Sequence, residues 1–203
     1  MKVIKWIFIS IAILFAGLIL CLVIGYYTGI VTFEKGEGGV RSGFAKLSED
    51  KKERVKEILK IDSLTADGNV YQVRHEQVSQ YLKGRGKVIV YSYIPYCTGR
   101  NCVQPVEIYQ KCDSANVELV LISELYYKLF ENTADFPQPV LVINAESYNT
   151  DNREEYVKMF YNGLVGEGNW NRLAGGLYFC FNKGQYLKQV SKLDDAIDFL
   201  KKQ

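Results

Sequence analysis

Two cysteines five positions apart, Cys97 and Cys102, follow closely on an apolar run at residues 88–93. The run is rich in β-branched and aromatic residues, which is typical of a central strand covered on both faces. A strand that delivers one cysteine to a turn, with a second near a helix start, presents a dithiol that can exchange with disulfides. The sequence therefore indicates dithiol chemistry at Cys97 and Cys102.

The spacing of the pair limits how its sulfurs can meet. Positions five apart on a regular helix differ by about 140° in direction, so a bond between them requires the intervening residues to form a loop. Gly99 and Asn101 suit such a loop, because both tolerate left-handed backbone. Arg100 beside a helix start would lower a cysteine pKa. A reversible disulfide, a static disulfide and two unused thiols all remain open.

The other cysteines and the histidine carry weaker signals. Cys112 falls on a predicted helix and Cys180 in a predicted strand, so both are expected to be small buried apolar residues, with Cys112 as a third redox partner the lesser alternative. His75 is the single histidine, which argues against His-rich zinc sites and Ser-His-Asp catalysis. We expect His75 at the surface and no metal or cofactor.

A membrane segment is predicted near the amino terminus. Residues 6–33 are 28 consecutive uncharged residues, and residues 6–27 alone are long enough to cross a bilayer. A cleaved signal peptide and a lipoprotein signal at Cys21 are the alternatives, but the run is long and shows no small-residue cleavage site. Lys2 and Lys5 place the amino terminus in the cytoplasm. The prediction is a single-pass inner-membrane protein with an extracytoplasmic domain, periplasmic in a bacterial envelope, in a space that permits disulfides.

Charge and length bound the rest of the chain. Lys2 and Lys5 account for the whole formal charge of +2, so the chain from Glu34 onward has no net charge, which argues against a nucleic-acid partner. The remaining 170 or so residues suit one domain. We divide the chain into an anchor at residues 1–33, a juxtamembrane linker and charged helix at 34–66, and a domain at 67–203.

Alternating strand and helix patterns predict an α/β fold with parallel strands. The predicted strands are residues 70–73, 88–94, 117–122 and 140–144, with a hairpin at 177–187. The predicted helices are residues 48–61, 76–83, 106–113, 124–131, 153–164 and 193–202. A polar excursion is expected at residues 145–174.

This order of elements, with cysteines just after a buried strand and a proline just before a later one, resembles the thioredoxin fold. The resemblance covers residues 70–203 and implies a central mixed sheet flanked by helices. The segment from Tyr93 to Cys97 resembles the family's aromatic-small-Pro-aromatic-Cys sequence, so Cys97 matches the nucleophile. The motif departs from the family because Cys102 stands five positions later rather than three. Membrane-anchored thioredoxin-like proteins of the bacterial envelope are similar, including four residues between the cysteines.

The resemblance also implies roles for residues outside the motif. Pro139 matches the cis-proline that faces the dithiol, with Pro137 the lesser alternative and an ordinary trans proline the other interpretation. Gln138 would then offer backbone groups to an extended substrate. Where the family commonly carries a buried acid, this sequence has Tyr91, so proton transfer would need another group or water.

Three functions remain as hypotheses. The first is a thiol-disulfide oxidoreductase acting on a protein or peptide, in which Cys97 attacks and Cys102 resolves. The second is a non-catalytic subunit of a membrane or envelope complex, with residues 48–60 and 145–174 as contact surfaces. The third is copper handling by the two thiolates, which the sequence favours least because His75 lies upstream of the motif.

Overall fold

The computed structural model describes residues 43–96, 103–150, 152–170 and 177–203, all within the compact unit Glu37–Gln203. Cys97, Arg100 and Cys102 lie outside the described residues, as does the predicted membrane segment at residues 6–27. None of the helices in the described ranges combines the length and the apolar character needed to cross a membrane.

The described residues form seven strands and six α-helices. The strands are β1 (Val55–Glu57), β2 (Val70–Val73), β3 (Lys87–Tyr93), β4 (Glu118–Ser123), β5 (Val140–Ile143), β6 (Tyr178–Asn182) and β7 (Gln185–Val190). The helices are α1 (Glu49–Glu53), α2 (His75–Lys83), α3 (Pro105–Ser114), α4 (Leu129–Asn132), α5 (Arg153–Val165) and α6 (Leu193–Lys201). Short 3-10 turns occupy Phe44–Lys46, Ile61–Ser63 and Ala145–Tyr148.

All seven strands form one mixed sheet in the order β1-β2-β5-β4-β3-β6-β7. The five strands from β1 to β3 in that order are parallel, and β6 and β7 are antiparallel to their neighbours. The apolar runs predicted as strands are therefore confirmed, as are the closing hairpin and the α/β class. Because parallel strands end at one edge, β3, β4 and β5 all deliver their next residues to the same side of the molecule.

Helices cover both faces of the sheet. On one face, α3 and α6 pack their buried residues against Tyr91 and Tyr93 of β3. On the other face, α2 and α5 pack against Val88 and Val90. This alternation follows from the period of two along a strand, and it explains why the central strands are apolar on both sides.

The charged helix predicted at residues 48–61 is wrong beyond its first turn. Only Glu49–Glu53 is α-helical, and Val55–Glu57 pairs with β2 in parallel. The reason is a pairing partner far along the chain: Val55 lies opposite Val70, and the Arg54 Nε donates to the Gly68 carbonyl at 3.0 Å. The sheet therefore extends into the segment assigned to the linker.

Two other predicted segments also differ. In place of the helix predicted at residues 124–131, only Leu129–Asn132 is helical, because Glu124 is buried in the interior. The excursion predicted at residues 145–174 contains α5, and six of the apolar side chains of α5 belong to the core rather than to an exposed surface. Those with no exposure are Tyr156, Val157, Phe160 and Tyr161. The predicted helix at residues 153–164 is itself confirmed.

Candidate functional site

The turn that leads from β3 to the cysteines is held by side chains from two other segments. Pro95 is buried, and its carbonyl accepts a hydrogen bond from the Asn132 side-chain amide. The Tyr96 hydroxyl accepts a hydrogen bond of 2.6 Å from Nη1 of Arg153, and its ring centroid lies 6.1 Å from that of Tyr127. The residue directly before Cys97 is therefore fixed at the carboxyl edge of the parallel strands.

A buried ion pair lies behind Tyr96. Nε of Arg153 lies 2.9 Å from Oε2 of Glu124, and only 4% and 5% of the two side chains are exposed. Oε1 of Glu124 accepts a hydrogen bond of 2.9 Å from the Ser92 hydroxyl, and the Glu124 carbonyl accepts one of 2.7 Å from the Tyr156 hydroxyl. Buried charges are stable when they are paired and hydrogen-bonded in this way.

The surroundings of Arg153 favour its charged form. Burial by itself lowers the pKa of Arg153, but the neighbouring Glu124 carboxylate and the hydrogen bond to Tyr96 outweigh it and raise that pKa. The Tyr161 hydroxyl also faces Ser92, and burial followed by the charge of Glu124 raises its pKa well above the ordinary value. The pair is therefore buried among polar groups, and the Arg153 guanidinium stays protonated.

Glu124 is the functional candidate that sequence reasoning missed. The sequence signal for Glu124 was its position directly after β4. Since β3 and β4 are parallel neighbours with Tyr93 opposite Ser123, the residue after Ser123 lies beside the end of β3. The backbone N–H of Glu124 donates to the Tyr93 carbonyl at 3.1 Å, which places this acid beside the end of β3. Arg153 was also missed, because a charged residue at a helix start is usually exposed.

Tyr91, at the position expected for a buried acid, takes no part in this cluster. It points to the opposite face of the sheet, where its ring stacks on Tyr178 with centroids 4.8 Å apart and planes 11° apart. Burial, with smaller contributions from Tyr178 and Tyr93, raises its pKa far above neutral. Tyr91 therefore has packing as its role and stays protonated at physiological pH.

Gln138 and Pro139 lie where the resemblance did not place them. They precede β5, which runs parallel to β4 and β2, so they stand at the amino edge of the sheet, opposite the edge that carries Tyr96. The peptide bond before Pro139 is trans. Gln138 lines a cavity of about 680 Å³ with Lys87 and Glu118 at that amino edge. The expectation of a cis-proline and a docking edge facing the cysteines is therefore corrected.

Cys112 and Cys180 are free and fully buried, as predicted. Burial raises the pKa of Cys112 to about 12 and that of Cys180 to about 11, so both thiols stay protonated and unreactive at neutral pH. Pro105 occupies the first turn of α3, where its missing N–H and fixed φ are tolerated. The roles assigned to Cys97, Arg100 and Cys102 stay predictions.

His75 is less exposed than predicted. Its Nδ1 lies 3.0 Å from the Tyr148 hydroxyl, and its ring covers Gly163 of α5 so closely that a Cβ there would overlap it. In the described ranges, no three His, Cys, Asp or Glu side chains are grouped to hold a metal ion.

The comparisons with known proteins return no match for this chain, whether against protein-family models, curated proteins or solved structures.

Proposed function

We propose that this chain is a membrane-anchored, extracytoplasmic thiol-disulfide oxidoreductase with a thioredoxin-like domain, acting through Cys97 and Cys102. The fold supports this proposal through the order of its elements. The strand that leads to the cysteines, β3, is central, is followed by α3 and parallel β4, and is flanked on its other side by the antiparallel pair β6 and β7.

The observation that carries the proposal is the fixation of Tyr96 by the buried pair. A charge pair with almost no exposure costs desolvation energy, and a better-packed apolar pair could often replace it without loss of stability. Here the Arg153 guanidinium bridges Glu124 to the hydroxyl of the residue before Cys97. Such a bridge makes physical sense if the conformation of the cysteine turn has to be held.

The proposed reaction is a two-electron exchange. The Cys97 thiolate attacks one sulfur of a substrate disulfide, which forms a mixed disulfide and releases the other substrate sulfur as a thiolate. Deprotonated Cys102 then attacks the Cys97 sulfur, so the Cys97–Cys102 disulfide forms and the second substrate thiolate leaves. The substrate is reduced by two electrons and the protein dithiol is oxidised by two. An external dithiol protein reduces the Cys97–Cys102 disulfide and so restores the starting state. In the reverse direction a substrate thiolate attacks the Cys97 sulfur of the protein disulfide and releases the Cys102 thiolate, and a second substrate thiolate then displaces Cys97 as a substrate disulfide forms.

Glu124 supplies an acidic group that the Tyr91 position lacks. It is buried on the Ser92 face, next to the end of β3, and it reaches the cysteine turn through Arg153 and Tyr96. We assign Arg153 and Glu124 as positioning residues, because the atom they hold is the Tyr96 hydroxyl.

The test is the redox potential of the cysteine pair in the full chain, solubilised in detergent. After equilibration in graded glutathione buffers, alkylation and mass spectrometry give the oxidised fraction of Cys97 and Cys102. A potential between roughly −120 and −270 mV supports an exchange enzyme, and Cys102→Ser should then trap a mixed disulfide with substrate. A bond that stays oxidised below roughly −300 mV, or no bond at all, overturns the proposal.

A second candidate function is that of a non-catalytic subunit of a membrane complex. The observation that favours it is Leu59, which is 92% exposed and follows the short edge strand β1. Exposed apolar groups beside an open sheet edge suit a protein partner. If this candidate is right, the native size of the solubilised complex survives Cys97→Ser and is lost in Leu59→Asp. Loss on Cys97→Ser alone argues against it.

A further inference from the structure

A cleft of about 480 Å³ lies beside the Tyr96 turn, between the segment before α1 and the segment around α4. We call it the lysine cleft and define it by Lys46, Lys51, Tyr127, Lys128 and Glu131, all of which line it. The residues come from two parts of the chain about 80 positions apart, so the fold itself brings the lysines together.

The charge of the lysine cleft is positive. Three lysines and one acidic residue are among the described residues that line it, and the acidic residue, Glu131, pairs with Lys51 at 3.4 Å. Lys128 is exposed, and its Nζ lies 5.4 Å from the centroid of the Tyr127 ring. In the described part of the chain, no carboxylate lies within ion-pair distance of Lys128. The chain from Glu34 onward is neutral as a whole, so the cleft is a local excess of positive charge.

The cleft adjoins the proposed reactive turn through aromatic contact. Tyr127 lines the cleft, and its ring lies 6.1 Å from that of Tyr96, the residue before Cys97. Tyrosine rings flanked by lysines offer apolar area together with positive charge, which complements an acidic stretch of polypeptide.

We infer that the lysine cleft binds an acidic segment of the protein substrate, next to the disulfide that Cys97 attacks. This inference rests on the proposed function. The charges lie at an exposed rim, so their main effects are on association rate and on the choice between partners, and both effects weaken as salt increases.

The first experiment measures binding without redox chemistry. Two fluorescent peptides without cysteine, one rich in Asp and Glu and the other with Lys at those positions, are titrated with the detergent-solubilised full chain and followed by anisotropy. The acidic peptide should bind at least tenfold more tightly at low ionic strength. The double change Lys51→Glu with Lys128→Glu should remove this preference. Lys201→Glu, an exposed lysine of α6 outside the cleft, should leave it unchanged.

The second experiment separates this inference from the function on which it rests. Disulfide-bearing versions of the two peptides are reacted with the Cys102→Ser chain, and the rate of mixed-disulfide formation is measured. If the acidic peptide binds preferentially but neither peptide forms a mixed disulfide, the inference about the lysine cleft stands and the oxidoreductase proposal is overturned. If both peptides bind equally and react at equal rates, the oxidoreductase proposal stands and the inference about the lysine cleft is overturned.

A membrane surface is the competing occupant and is tested in nanodiscs. The full chain is reconstituted in phosphatidylcholine with or without phosphatidylserine, and acetylation of Lys51 and Lys128 is followed. Protection that requires phosphatidylserine, together with no preference between the two peptides, assigns the cleft to lipid headgroups and overturns the inference. Protection by the acidic peptide in either lipid supports it.

Discussion

Removing one member of the buried ion pair between Glu124 and Arg153 should lower the free energy of unfolding far more than replacing both members. At 2.9 Å and an effective dielectric constant of about 20, the two charges attract by about 6 kcal/mol. Removing both ions from water costs several kcal/mol each, so the intact pair contributes little net stability. Arg153→Met leaves the carboxylate buried without its cation, and we expect a loss of about 3–5 kcal/mol.

The matched variants are Glu124→Gln and the double variant with Arg153→Met. The double variant removes both charges and keeps similar side-chain volumes. Its loss of unfolding free energy should therefore be smaller than the sum of the two single losses, by about 1–3 kcal/mol. Urea unfolding of the solubilised full chain measures this coupling. Trp170 reports on the region, because its ring stacks parallel to Tyr161 with centroids 6.5 Å apart.

The size of the expected loss matters for the design, since whole domains are stable by only about 5–15 kcal/mol. If Arg153→Met does not fold, Arg153→Lys keeps the charge but loses the planar fork, and a smaller loss should be measurable. A loss below 1 kcal/mol for Arg153→Met, or strictly additive losses in the cycle, would refute the view that the two charges depend on each other.

Four further predictions rest on other contacts. Tyr96→Phe removes the hydrogen bond from Arg153 and should cost about 1.5–3 kcal/mol in urea unfolding, while Tyr127→Phe, which keeps the ring contact, should cost less than half as much. Iodoacetamide at pH 8 should leave Cys112 and Cys180 unmodified in the native chain and label them in urea; labelling at equal rates in both states would contradict their burial. Burial raises the pKa values of the two thiols to about 11–12, so the stability that the protonated thiols contribute is complete below the unfolded pKa of about 9 and is lost as pH rises toward 12. Urea unfolding from pH 8 to 11, with Cys112→Ala as the control, would detect this loss. Gly163→Ala should destabilise by about 1–3 kcal/mol through overlap with His75, and His75→Ala should restore most of that loss in thermal unfolding; no rescue would mean that the overlap is not the cause.

The elements that could be predicted are those whose residues show a clear local sequence pattern. Long apolar runs identified β3, β4 and β5, because a strand covered on both faces needs apolar residues at every position. The amphipathic pattern at the end of the chain likewise identified α6, whose Leu193, Ala196, Ile197 and Leu200 are all buried.

The missed part depends on partners far along the chain. Nothing near Val55 reveals that Val70 will lie beside it in a parallel pair, so the charged segment resembles a helix. The Arg54 guanidinium adds to this, because it lies 4.8 Å from the centroid of the Phe130 ring and so anchors the start of β1 to a residue 76 positions away. Local propensity is easily overridden by contacts of this kind.

The candidate site shows the same limit. Glu124 and Arg153 are 29 positions apart, and each has a local context that resembles an exposed helix start. What joins them is the strand order, which puts the ends of β3 and β4 together and lays α5 across that face. Sequence reasoning could have proposed Glu124 from the rule that parallel strands end at one edge, but it had no means of finding its cation.

The strand order also changes where a substrate could dock. The resemblance implied a docking edge at Pro139, because this proline directly precedes a strand. The neighbour is β6, which runs antiparallel with Tyr178 opposite Tyr91, and the Leu177 carbonyl accepts a hydrogen bond of 2.8 Å from the Ser92 backbone N–H. An antiparallel neighbour begins where β3 ends. Leu177, directly before β6, therefore lies beside the end of β3, at the edge where the resemblance would place Pro139.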